Sequence, residues 1–435
     1  MFGDMREKKS EAIKKIVAFG LAFVLCLGCS FASAGCAFRI QGAGQAEQTE
    51  EPEAEKEQTG GSLWDLFMGS ESNDEKKDDH IKKLDDLKQL IDLYYWEDTE
   101  EETLYDGMYH GMLWSLGDPY SCYYSAEEYA ALMEEIEGTY CGIGALVSQN
   151  ASTKVITIVR PFVDGPAYTA GMLPGDILTK IDGEDVSAWD IDLAVKHMKG
   201  EQGTIVEVEV WRSSIGEYVD LTITRDLVEV ETVTYEMLDD SIGYIYVMQF
   251  DEITTQQFAT ALNSLKAQGM KGLVVDIRDN GGGLLSTVCD MLDLFLEEDE
   301  LIVYTLDKYD TKEEIFAYEG SIGKMPMAIL VNGYSASASE IFSGALQDYG
   351  LATIVGTQSF GKGIVQSVIP LKDGSAVKLT VSTYYTPKGR NIHGTGITPD
   401  VVVELAEELK QKPVVELNED NQVQCAIEEV KKLMK

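Results

Sequence analysis

The chain has 435 residues, long enough for two or three domains, and 44% of them are hydrophobic, enough for real cores. With 75 acidic against 35 basic residues its formal charge is −40, which excludes a general phosphate-binding surface; no nucleic-acid partner is expected. The 7 cysteines lack zinc-ligand spacing and disulfide-scaffold density, and the 4 histidines are scattered, so no metal and no cofactor is expected.

The first 38 residues read as a membrane anchor or signal segment. Arg6, Lys8, Lys9, Lys14 and Lys15 precede an uncharged run over residues 16–38, longer than the roughly 20 residues a bilayer needs. The basic flank predicts a cytoplasmic N-terminus, a single pass through the cytoplasmic membrane and a body on the extracytoplasmic side. Ala32-Ser33-Ala34 offers the alternative of signal cleavage and secretion, and the retained anchor is preferred. Gly28-Cys29 follows Cys26 and Leu27, a poor lipoprotein signal. Residues 39–79, centred on "EQTEEPEAEKEQTGG", cannot bury much and read as an acidic flexible linker.

Residues 80–137 read as a helical region. Leu84, Leu87, Leu90, Ile91 and Tyr94 recur at helical spacing, two further helices run near "GMYHGMLWSL" and "EEYAALMEEI", and "GDPYS" turns between them. From Gly138 the character changes. Short strands, glycine turns and one short helix make a compact α+β module over residues 138–226. Residues 227–410 then alternate strand and helix, as a layered α/β core does, and residues 411–435 form a C-terminal extension.

Three glycine-rich turns and one serine-rich turn are the chemical candidates. "GTQSFGK" at 356–362 fits a phosphate-binding loop through seven positions but places Gly363 where Ser or Thr should hold magnesium, and a strand follows instead of a helix. The nucleotide reading is discarded. Lys362, between Gly361 and Gly363, is a solvated loop lysine or, if desolvated, a neutral base able to take a proton from serine. "DIRDNGGG" at 276–283 joins a buried strand to a helix and can offer backbone N–H donors, or is simply a tight connection. Tyr140, Cys141, Gly142, Ile143 and Gly144 precede a strand and could receive a carboxylate on backbone N–H groups, or form a hairpin. In "NGYSASASEI", Ser335, Ser337 and Ser339 alternate with alanines at a strand-to-helix turn, where serine reads first as a helix cap. His393 with Asp373 or Asp400 is the alternative partner set for a serine nucleophile, without a supporting motif.

The order "DIRDNGGG", "SASASEI", "SFGKGIVQ" and "DGSAVKLTVSTYYTPKGRNIHGTGITPD", together with "LGDPYS", resembles the carboxyl-terminal processing peptidases, or tail-specific proteases, over about residues 80–405. The resemblance implies a multidomain α/β protein: a ClpP/crotonase-like protease core, a PDZ-like α+β domain and an N-terminal helical region. It implies a serine endopeptidase with a Ser-Lys pair that processes exported proteins recognised by their free C-terminal tails, homo-oligomerisation being left open. It places the nucleophile at Ser337, the base at Lys362 and an orienting partner at Gln366. The oxyanion hole falls to the N–H groups of Ala338 and of Gly282 or Gly283, and tail binding to Tyr140, Cys141, Gly142, Ile143 and Gly144. Gly281 and Lys199 stand where relatives often carry proline and arginine. In a straight strand Lys362 and Gln366 would be roughly 13 Å apart, so their meeting requires a bend. The alternative is a non-catalytic PDZ-containing peptide-binding scaffold. A trypsin-like protease is excluded because no "GNSGG"-type loop is present.

Overall fold

The computed structural model describes residues 24–25, 74–151, 153–318, 323–410, 412 and 415–435. Apart from residues 24–25, the expected leader and most of the expected acidic linker lie outside the described residues. The chain divides into two compact units, residues 29–115 and residues 1–28 with 116–435. The division at Ser115/Leu116 differs from the boundary expected at 137/138. The "LGDPYS" turn and the helix after it therefore pack with the body.

In the smaller unit, helices α1 (Asp74–Tyr94) and α2 (Glu101–Trp114) follow the predicted periodicity. Lys88 and Glu101 form an ion pair between them. Among the described residues, no helix is long and apolar enough to cross a membrane.

The body begins with β1 (Cys122–Tyr124) and α3 (Ala126–Glu137), whose start is a capping box between Ser125 and Glu128. Next come β2 (Thr139–Gly142), β3 (Ala145–Gln149), β4 (Ile156–Pro161), β5 (Ile177–Ile181), α4 (Ile191–Met198), β6 (Ile205–Arg212), β7 (Glu217–Thr224) and β8 (Asp226–Glu229). Strands β3-β4-β5-β6-β7 form an antiparallel sheet, to which the short Glu184–Asp185 strand adds beside β5. Alternate residues of β6 (Val206, Val208, Val210) meet Ala194 and Met198 of α4 in a core of its own.

The larger core follows. Strands β9 (Val233–Leu238), β10 (Ile242–Val247) and β11 (Gly272–Asp276) flank α5 (Thr254–Ala267), and α6 (Leu285–Asp293) comes next. Then come β12 (Leu301–Asp307), β13 (Lys312–Phe316), β14 (Met327–Val331), α7 (Ala338–Tyr349), β15 (Thr353–Gly356), β16 (Ile364–Pro370), β17 (Ala376–Tyr385), β18 (Val401–Val402) and α8 (Asn421–Leu433). The order β9-β10-β11-β14-β15-β18 makes a sheet that is parallel except for the β9/β10 pair. A second, antiparallel sheet runs β13-β12-β17-β16, with β1 also paired to β17.

Strands covered on both faces need continuous apolar runs, and β14 is buried throughout. Its Met327, Ile329 and Val331 join the cluster of helices α5, α6 and α7, while Ala328 and Leu330 meet Val423, Ala426 and Val430 of α8 on the other face. The segment expected as an extension thus supplies one layer of the core. Phe342 anchors α7 among Phe250, Phe258 and Phe295, at ring separations of 6.2, 6.3 and 6.2 Å.

Candidate active site

Strand β14 ends in the serine turn, and the three serines separate by what their hydroxyls touch. Ser335 Oγ donates to the Ile277 carbonyl at 2.7 Å and Ser339 Oγ to the Asn280 carbonyl at 2.8 Å, pinning the turn to the glycine-rich loop. Ser337 is fully buried, yet among the described residues its Oγ has no hydrogen-bond partner. Its backbone sits at φ 60° and ψ −114°, a conformation costing a side-chain-bearing residue about 1–3 kcal/mol.

Glu340 holds that conformation. Ser337 and Glu340 occupy capping-box positions, but only one half is made as a cap: Ser337 N–H donates to Glu340 Oε2 at 2.8 Å, whereas Glu340 N–H turns to the Ser337 carbonyl, leaving Oγ uncommitted. The same Oε2 accepts the Lys362 N–H at 2.8 Å, while Oε1 accepts from Gly361 N–H at 2.8 Å and Ser359 Oγ at 2.5 Å. Burial pushes this carboxyl up, against the pull of those hydrogen bonds. The buried Tyr384 hydroxyl lies 2.5 Å from the Lys362 carbonyl and 3.0 Å from that of Ser337, sharing its single proton between them. Two side chains on two elements therefore hold the backbones of Ser337 and Lys362 together.

Lys362 is buried and its ammonium stands 4.5 Å from the centre of the Tyr120 ring. The glycines around it serve close approach: a Cβ on Gly363 would fall 2.5 Å from His393 N, and Gly361 has φ +89°. Between Lys362 and Gln366 the strand is irregular. Lys362 precedes β16, and the β16/β17 register shifts between Val365 and Gln366. Buried Gln366 donates from Nε2 to Thr380 Oγ1 at 3.4 Å.

The glycine-rich loop lies against the serine turn. A Cβ on Gly282 would stand 2.9 Å from Ser337 Cβ and 3.2 Å from Ala338 N, so a side chain there would force the serine turn to shift. The Gly282 N–H is donated to Asn280 Oδ1 at 2.9 Å, and Asn280 Nδ2 donates to the Val247 carbonyl, also at 2.9 Å. The histidine alternative is not assembled: His393 is exposed, Asp373 accepts from Ser375, and Asp400 accepts from Ile354 N–H and Gln347.

Tyr140, Cys141, Gly142, Ile143 and Gly144 fall elsewhere, beside α4. Tyr140 and Ile143 line a pocket of about 470 Å³ with Ala145, Val195, Met198 and Lys199; Glu134 of α3 and Asp251 of the core close it. Lys199 forms an ion pair with Glu134 and stands 5.0 Å from the Tyr140 ring centre. Burial pushes the Tyr140 hydroxyl up to about 12. Burial first, and then nearby Glu135, push the Asp251 carboxyl up to about 7 against a hydrogen bond from Gln249.

Sequence reasoning missed Glu340, Tyr384, Asn280 and Tyr120. Glu340 had a signal, standing three residues after Ser337. Tyr120 lay in "GDPYS", which reads as a turn and as part of the family resemblance, with no role for the ring.

Residues 241–403 match the family described as Peptidase family S41, residues 157–212 a PDZ domain, and residues 32–128 the Activating protease CtpB N-terminal domain. The chain is 36% identical over 341 residues to a carboxy-terminal-processing protease of Bartonella bacilliformis, covering 77% of each chain. The chain belongs to the S41 family of carboxy-terminal processing proteases. It is a serine peptidase, and the non-catalytic scaffold alternative is set aside. It is also 37% identical over 333 residues to the carboxy-terminal processing protease CtpA of Bacillus subtilis, across 77% of this chain and 71% of the relative. A crystal structure from Bacteroides fragilis assigned to the S41 proteases aligns over 79% of this chain and 96% of its own, with TM-score 0.50 and 14% identity, a likeness of fold.

Proposed function

We propose that this peptidase uses a Ser337-Lys362 pair, with Gln366 as orienting partner, to cleave exported proteins whose free C-terminal tails bind its PDZ domain. The observation that carries this reading is the buried Ser337 Oγ, uncommitted among the described residues at a strained helix start and tied through Glu340 and Tyr384 to the backbone of Lys362. In this mechanism the neutral Lys362 amine takes the Oγ proton as Oγ attacks the scissile carbonyl. The developing oxyanion is held by the N–H of Ala338 at the positive end of α7. The second donor falls to Gly282 or Gly283: Gly282 lies against Ser337 and Ala338 with its N–H on Asn280 Oδ1, and Gly283 lies against Phe250. Protein substrates follow from family and PDZ domain together. The basic flank and uncharged run of residues 16–38 support a membrane-tethered body outside the cytoplasm; a mature N-terminus at Gly35 would show secretion instead.

The test is digestion of an unfolded protein by the full chain, with labelling by a serine-reactive fluorophosphonate. Ser337→Ala should retain the fold and lose both cleavage and label, a fall of at least 10³-fold. Lys362→Arg should be equally inactive because arginine stays charged. Labelling that persists at Ser335 or Ser339, or turnover by Lys362→Ala, defeats the assignment.

A further inference from the structure

The turn at Asp118, Pro119 and Tyr120 lies against the body, far in sequence from every residue assigned to the reaction. Strand β1 pins its far side, pairing Cys122, Tyr123 and Tyr124 with Lys378, Val377 and Ala376. Asp118 builds the turn: Oδ1 accepts the Tyr120 N–H at 3.0 Å and Oδ2 accepts from Ser121 Oγ at 2.6 Å. Ser121 Oγ in turn accepts the Thr380 N–H at 3.0 Å, and Thr380 Oγ1 takes the Gln366 amide. The turn is thus continuous with the strand pair that carries Gln366 and that Lys362 leads into, and it delivers the face of the Tyr120 ring 4.5 Å from Lys362 Nζ.

We propose that Asp118 and Tyr120 are positioning residues for Lys362, the ring seating its ammonium and the carboxylate supplying the opposing charge, so that together they set the pH at which the amine becomes free to act as base. The proposal rests on the Ser-Lys reading above. A cation over an aromatic face gains about 0.5–2 kcal/mol, and more as water is excluded. That gain goes to the charged form alone.

Other groups face Lys362 as well. Glu340 of α7 spends its carboxylate on backbone N–H groups, the Lys362 amide among them, and burial pushes it up. Tyr384 of β17 touches the Lys362 carbonyl, and burial keeps its hydroxyl protonated. Asp118 differs. Burial pushes it up too, but hydrogen bonds from Ser121, Thr380 and Tyr120 N–H, with the charge of Lys362, outweigh this and hold it below the usual carboxylate range. Asp118 is therefore the better-sustained negative charge at neutral pH. Both groups favour the ammonium, so removing either lowers the pH at which the neutral amine appears.

The experiment is the pH profile of fluorophosphonate acylation and of peptide kcat/KM for the full chain, with Asp118→Asn, Tyr120→Phe and Tyr120→Leu. Asp118→Asn should move the midpoint of the acid limb down by about one pH unit. Tyr120→Leu should move it the same way and lower the plateau several-fold, while Tyr120→Phe keeps the ring and the wild-type profile. A merely structural turn would lower rate or melting temperature at every pH with the midpoint fixed. That result, from the near-isosteric Asp118→Asn, overturns the proposal. Lys362→Ala serves as the separate control: if it still turns over, the base assignment fails, whereas an inactive Lys362→Ala with unmoved midpoints rejects only the role of the turn.

Discussion

A carboxylate that accepts four hydrogen bonds has its lone pairs committed, so Glu340 acts on backbone geometry rather than by carrying protons. In Glu340→Gln the amide NH2 would face N–H and O–H donors that now meet an acceptor. Each buried donor left unpaired costs about 1–3 kcal/mol, and Ser337 would relax from its strained φ. The expected result is a drop of at least 10²-fold in kcat with a lowered melting temperature; wild-type kcat in a folded Glu340→Gln would refute the bracing role. Asp251 makes the pH-dependent case. Its carboxyl titrates at about 7 in the folded chain against about 3.9 unfolded. A raised carboxyl contributes stability that is complete below the unfolded value and lost as pH rises through about 7. Asp251→Asn cannot ionise, so its melting temperature should match the wild type near pH 4 and exceed it increasingly up to about pH 8. A difference independent of pH in thermal melts would show that Asp251 is not the titrating group.

At the scale of elements, the glycine-rich loop is held from beneath by α8. Arg278 donates from Nε to Asp276 Oδ1 and Oδ2 at 3.0 Å, and from Nη1 to Asp420 Oδ2 and Gln422 Oε1 at 2.8 Å, while Tyr244 donates to Asp276 Oδ2 at 2.7 Å. Removing the guanidinium leaves two buried carboxylates unpaired, at a cost of roughly 3–5 kcal/mol. Arg278→Ala should therefore lower the melting temperature by on the order of 10 °C, and activity should fall below that transition because Asn280 and Gly282 follow in the same loop. Unchanged melting would mean the network is dispensable. These layers were unevenly legible in the sequence. The buried strands announced themselves as apolar runs, as in "MAILV", and the helices α5 to α7 by their spacing. Helix α8 was not read as core, because its amphipathic residues, Val423, Ala426 and Val430, follow a polar stretch and their partners Val274 and Leu330 are far away in sequence. For the same reason Ser337 and Lys362 could be named from motif order, whereas Tyr384 and Tyr120 are brought in by strand pairing alone.

For the molecule as a whole, the pocket beside Ile143 is shared: α4 and the glycine turn form one wall, and Glu134, Glu135, Gln249 and Asp251 of the protease body form the other. A tail seated there would touch both, so its binding energy is available to couple capture with cleavage. The pocket also carries its own competitor, since Glu134 holds the cationic Lys199 that a terminal carboxylate would seek. Glu134 and Glu135 in the pocket lining disfavour a second anion unless backbone N–H donors of the Tyr140 to Gly144 turn receive it. On Ser337→Ala, the variant proposed above to lose turnover, a peptide with a free terminal acid should therefore bind at least tenfold more tightly than its amide. An apolar last residue should be preferred to Asp. Glu134→Gln removes the competing charge and should strengthen the acid several-fold, more at low salt, while leaving the amide unchanged. Equal affinity for acid and amide in calorimetry would reject carboxylate capture. A gain on Glu134→Gln shared equally by acid and amide would assign Glu134 to shaping the pocket rather than to competing for Lys199.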